Sequence, residues 1–163
     1  MNTENSSRSE TTPHTSDRAA ASTALFLRAT EAIERRERLL AAVLITTYSI
    51  ETGDHERALL DLAAAGATSI AAVITEHTDR TCVCGRPDCE GLWVLDSLHG
   101  DVDQAPPVFV IAMRAVVAAL NNEPDRLGDL LVAYAHEHGL GGLSQLVPVL
   151  VRMHCDVRAE VRS

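Results

Sequence analysis

Three of the chain's four cysteines fall within eight residues, in the run Cys82-Val83-Cys84-Gly85-Arg86-Pro87-Asp88-Cys89. The spacing is C-x-C-x4-C. Zinc takes four ligands in a tetrahedron, with sulfur at about 2.3 Å, and thiolates on a tight turn can reach one ion together. Gly85 and Pro87 suit such a turn, because glycine accepts positive φ and proline sets its own φ. Zinc is therefore the expected cofactor, with Cys82, Cys84 and Cys89 as three donors. The fourth has four candidates: His77 just before the run, His99 ten residues after it, and His154 and Cys155 near the far end of the chain. Cysteine-rich sites are mostly closed and structural, whereas a catalytic one keeps a position open for water and a base beside it. Asp88 and Glu90 would be the nearest carboxylates for such a base. A third use of the same thiols is redox sensing, in which oxidation expels the metal.

The run resembles, over eight residues, the zinc-binding post-SET segment of SET-domain lysine methyltransferases. That segment also has C-x-C, often followed by glycine, and a third cysteine after four residues. The resemblance implies Cys82, Cys84 and Cys89 as ligands and Cys155 as the distant fourth. It extends no further. The rest of this chain reads as helical where a SET domain is mostly strands, so no methyltransferase follows.

Other groupings carry less. The cytidine-deaminase pattern needs H-x-E before P-C-x-x-C, and neither part is present. In His136-Glu137-His138 the two imidazoles stand about 200° apart on a helix, so they cannot chelate one ion from one face. His138 reads instead as a cation at a helix C-terminus. Asp96, Ser97 and His99 are triad residue types without a G-x-S-x-G elbow. Gly139, Gly141 and Gly142 lack the Lys-Ser/Thr of a phosphate loop. Trp93, the single tryptophan, is expected to pack the knuckle onto the helices.

The elements that would hold these residues are helical. Aromatic residues make up only 3% of the 163 residues, while hydrophobic residues reach 46%. Alanine and leucine fill the space, which favours helix over sheet. Residues 1–18 are polar and aperiodic and read as a disordered tail. Residues 19–163 read as a single helical domain, with the Cys-rich loop at 79–91. A helical stripe runs through Leu25, Ala29, Ala32, Ile33, Leu40, Val43, Leu44 and Thr47. An unbroken helix over residues 19–52 would be about 50 Å long, against a radius of gyration near 15 Å for a domain of this size. It must break at the charged run Glu34-Arg35-Arg36-Glu37-Arg38, or project and pair with a second chain. Asp54 is expected to cap a helix ending at Gly66, with another starting at Thr68 or Ser69. Residues 108–120 read as the buried central helix, ended by Asn121-Asn122. Pro124 opens the next, with Leu127, Leu130, Leu131, Tyr134 and His138 in one stripe, broken by the glycines at 139–142. Pro148 is expected in the first turn of the last helix. The whole reads as an all-α, compact multi-helix domain of six or seven helices, with a zinc-knuckle-like loop inserted between helical halves.

Charge excludes some functions. The net charge of −9 repels phosphate backbones and anionic lipid. The best basic patch, Arg28, Arg35, Arg36 and Arg38, is interleaved with Glu31, Glu34 and Glu37. All 14 basic residues are arginine, which the alanine excess explains as GC-rich coding. No apolar leader segment is visible, and the longest apolar stretch, residues 108–120, is too short for a bilayer. A cytoplasmic protein that binds neither nucleic acid nor membrane is expected. Its expected function is that of a non-enzymatic helical interaction or regulatory protein with a structural zinc, taking a protein partner and able to dimerise through its N-terminal helix. A zinc- or cysteine-dependent enzyme and a thiol redox sensor are the alternatives.

Overall fold

The computed structural model describes residues 15–78 and 105–162. These residues form five helices and no strand: α1 (Thr15–Glu34), α2 (Arg38–Glu51), α3 (His55–His77), α4 (Pro107–Leu120) and α5 (Pro124–Val161). The all-α expectation is met. The expected knuckle at 79–91, Trp93, His99 and residues 1–14 of the expected tail lie outside the described residues, whereas residues 15–18 of that tail form the first turn of α1 instead of disordered chain.

The long N-terminal pattern breaks at the charged run. Arg36 adopts a left-handed φ of 66°. The Glu37 amide donates to the Ala32 carbonyl at 2.8 Å and the Arg36 amide to Ile33 at 2.9 Å. This pair of bonds is a Schellman motif, which satisfies the last carbonyls of α1 and turns the chain back. Residues 19–52 are therefore a hairpin of two helices rather than a rod. Gly53, at φ 69°, follows the end of α2. The Asp54 carboxylate then caps α3 by accepting from the Arg57 amide at 3.0 Å.

Two expected helices prove to be one. α3 does not stop at Gly66 but runs on to His77, absorbing the helix expected from Thr68 or Ser69. Gly66 marks a close approach, not an end. A Cβ there would lie 2.6 Å from Phe26 Cε2 and 3.1 Å from Leu150 Cβ. The alanines around it carry the helix through a residue that costs about 1 kcal/mol in helix propensity. α3 touches all four other helices. Ala58, Leu62, Ala63, Ala67 and Ile70 have no exposed surface. α3, not α4, is the central helix. By length and composition alone α3 could cross a membrane, and its packing against α1, α4 and α5 accounts for that apolar character.

α4 is amphipathic rather than buried all round. Ile111, Ala112, Ala115 and Val116 face α3 and α5, while Phe109 and Arg114 are exposed. A second Schellman motif ends it at Asn122, whose φ is 56°. Pro124 opens α5 as expected. Gly139 (φ 60°, ψ −163°) then splits α5 into two arms. Leu127, Leu131 and Tyr134 pack inward from the first arm, and Leu143, Leu146, Val147, Leu150 and Val151 from the second. Pro148 is not in a first turn. It lies inside the second arm, nine residues past the kink. It is tolerated because it faces solvent along with Ser144, so water can take the carbonyl that the missing amide leaves unpaired.

Candidate functional site

The sequence places its chemistry at the cysteine run, and the structure describes three of the proposed zinc donors' partners. His77 ends α3, one residue before the described chain breaks off. Its Nδ1 lies 2.9 Å from the Val73 carbonyl. A carbonyl only accepts, so Nδ1 carries the proton and the Nε2 lone pair is left for another partner. Cys155 lies on the second arm of α5, half-buried, with Sγ directed at the Thr30 carbonyl of α1, 3.8 Å away. Burial pushes its thiol pKa up, and the carboxylates of Glu34 and Asp156 add to the effect. His154 is 1% exposed and sets its ring edge-on to Phe26, with centroids 5.6 Å apart. Burial lowers its pKa, with Arg158 contributing and Glu34 opposing. It is a core histidine, held neutral. Cys82, Cys84, Cys89 and His99 lie outside the described residues. Among the described residues no three His, Cys, Asp or Glu side chains are grouped to hold a metal.

His136, Glu137 and His138 are all exposed at the end of the first arm of α5. His138 closes the first arm of α5 immediately before the Gly139 kink. Its ring lies against Tyr134, with centroids 4.5 Å apart. These rings, with Val110, Arg114 and Leu130, line a shallow groove of about 410 Å³ between α4 and α5.

A polar cluster that sequence reading missed joins α1, α2 and α3. Asp61 receives Nε of Arg18 from α1 and Nε of Arg57, one turn back on α3, the latter at 3.1 Å. Tyr48 of α2 faces the cluster. Burial raises its phenol pKa, the Asp61 charge raises it further, and Arg18 opposes. Beside them Ser49 Oγ lies 2.9 Å from His55 Nδ1. Asp61 and Arg57 were visible as an i, i+4 pair, but Arg18 is 43 residues away and only the tertiary fold brings it there. The cluster ties the hairpin to the central helix.

The outer face of α2 is the other missed feature. The expected inward stripe continued through Leu40, Val43 and Thr47, but all three are exposed. Ala41, Ile45, Tyr48 and Ser49 face inward instead. The left-handed residue at the turn resets the helical phase, so a stripe extrapolated across the break points the wrong way. What faces out is Leu39 at 80% exposure, Ile50 at 62%, Val43 at 50% and Leu40 at 46%. No charged residue occurs between Arg38 and Glu51. That absence is the signal sequence reading could have used.

Comparison of the chain with protein-family models, with curated proteins and with solved structures finds no match.

Proposed function

We propose that this chain is a non-enzymatic helical interaction or regulatory protein, and that it docks through the outer face of α2. One observation carries this reading. Four large apolar side chains stand exposed on a single helix that carries no charge between its terminal Arg38 and Glu51, in a protein whose sequence is 23% charged. Singly scattered exposed apolar residues are ordinary, but a contiguous uncharged patch is a feature of binding surfaces. The Asp61 ion pairs hold α1 on α3 and the Ser49–His55 hydrogen bond ties the end of α2 to the start of α3, so the face is presented on a fixed support. The test is a photo-crosslinking residue at Val43, with one at the exposed Asp129 of α5 for comparison, activated in the producing cells. Discrete adducts from position 43 and none from 129 are expected. Absence of adducts at both overturns the reading.

Structural zinc belongs to the same proposal and rests on the C-x-C-x4-C spacing. Among the described candidates for fourth donor, His77 lies five residues before Cys82 and its Nε2 makes no hydrogen bond among the described residues, which supports that residue over Cys155. The Cys155 thiol is pushed up by burial and turned onto α1. Metal analysis of untagged protein tests this. About one zinc per chain is expected, lost in Cys82→Ser and His77→Ala and kept in Cys155→Ser. Loss with Cys155→Ser instead would return the fourth position to that cysteine. No zinc in reduced protein would overturn the metal site.

A further inference from the structure

The exposed face of α2 has an internal symmetry that specifies what covers it. Leu39, Val43, Thr46 and Ile50 follow one another at spacings of four, three and four residues. That is the seam of a left-handed helix pair, and all four residues are exposed. The stripe is also symmetric in position about the middle of the helix. Leu39 and Ile50 lie equally far from the two ends, and Val43 and Thr46 equally far from the middle. Arg38 and Glu51 close the ends with opposite charges. Neither makes an ion pair among the described residues. Placed antiparallel on a second copy of itself, α2 would set Leu39 against Ile50, Val43 against Thr46, and each Arg38 against a Glu51. Ala42 and Thr47 flank the seam with side chains small enough for close approach. A parallel arrangement would set Arg38 on Arg38 and Glu51 on Glu51, which like-charge repulsion disfavours.

From this self-complementarity we infer that the occupant of the α2 face is a second copy of this chain, paired antiparallel about a two-fold axis near residues 44–45. A two-fold interface uses the same patch on both partners, and this patch matches itself in apolar spacing and in charge. The inference rests on the proposed docking role of α2 and names its partner. A 14-residue helix is about 21 Å long. One such helix pair covers less than the roughly 800 Å² per partner of a standard interface. The dimer should therefore be weak and reversible, with a dissociation constant in the micromolar range.

Sedimentation equilibrium of the full chain from about 1 to 500 μM tests the inference, with circular dichroism confirming that each variant keeps its helix content. Wild type should pass from monomer to dimer across that range, and Val43→Glu should remain monomeric. The charge variants separate specific pairing from net charge. Glu51→Arg makes the acidic chain less negative, so a general effect would strengthen association. End-to-end pairing predicts about tenfold weakening instead. Arg38→Glu should weaken about as much, and the double exchange R38E/E51R should restore affinity to within about threefold. A wild-type monomer at 500 μM, a Val43→Glu dimer, or a double exchange no better than the single variants would overturn the inference. If wild type stays monomeric while position 43 crosslinks to a different protein, the second-copy inference fails and the docking role of α2 stands. If position 43 crosslinks to nothing as well, both fail.

Discussion

Gly66 and Gly128 show how one residue type does opposite work within a helix. Both sit where helix propensity alone favours alanine by about 0.8–1 kcal/mol. At Gly128 a Cβ would meet nothing within 4 Å, so Gly128→Ala should stabilise the protein by about 0.5–1 kcal/mol. At Gly66 the Cβ would strike the ring of Phe26, itself 1% exposed, and crowd Leu150. Overpacking of this kind costs about 1–3 kcal/mol, so against the propensity gain Gly66→Ala should be a net loss of up to about 2 kcal/mol. Urea denaturation of the two variants checks both signs. The two tyrosines make a second residue-scale prediction. Tyr48 and Tyr134 both have pKa values raised above 10, chiefly by burial, with Asp61 adding at the first and Glu137 at the second. A raised folded pKa means that the folded state holds the phenol proton more tightly than the unfolded state. This stability is fully present below about pH 10 and is lost as pH rises through the folded values. Absorbance titration near 295 nm should therefore show phenolate appearing at higher pH in buffer than in urea. Equal midpoints would contradict the burial of these rings.

At the scale of elements, the ends of the helices decide the topology. Both helical hairpin turns use the Schellman pattern with a non-glycine residue in the left-handed region, Arg36 after α1 and Asn122 after α4. Asparagine tolerates that region through its short polar side chain, but arginine does not share this advantage. Arg36→Gly should keep the turn and remove the strain, raising stability by about 0.5–1 kcal/mol in thermal or urea unfolding. A loss would mean that the Arg36 side chain holds the turn by contacts of its own. The break was legible in the charged run and in the mismatch between a 50 Å rod and a compact domain. The phase of α2 was not, because one left-handed residue rotates everything after it. The glycines were legible only as breaks. Gly53 and Gly139 are breaks, with φ of 69° and 60°, whereas Gly66 is a contact, and nothing local distinguishes the two uses.

At the scale of the molecule, three helices meet at Phe26. Its ring from α1 touches Gly66 of α3 and the edge of His154 on α5, and Leu150 of α5 approaches the same glycine. Phe26→Ala should cost about 3–5 kcal/mol, the usual loss for a large buried aromatic. That is a large part of the 5–15 kcal/mol by which a domain is stable, so a lowered midpoint with an unchanged urea slope is expected. A loss under 1 kcal/mol would mean that the contact does not join the three helices into one cooperative unit. Around this core the chain is acidic overall, and α2 presents an uncharged apolar face.

The sequence by itself determined the helical class, the Asp54 cap, the start of α5 at Pro124 and its kink at the glycines, and it narrowed the N-terminal segment to a break at the charged run or a projecting helix. Each of these follows from interactions within a few residues: propensity, capping bonds and allowed φ. The zinc expectation is of the same local kind, because it depends on thiols eight residues apart. Only the tertiary structure decided that α3 runs through Gly66 as the central helix, that Arg18 reaches Asp61, that His154 is a neutral core side chain, and that Leu39, Val43 and Ile50 face outward. Those outcomes depend on which faces of distant helices meet. Packing brings together residues tens to more than a hundred positions apart, and no local pattern records that choice.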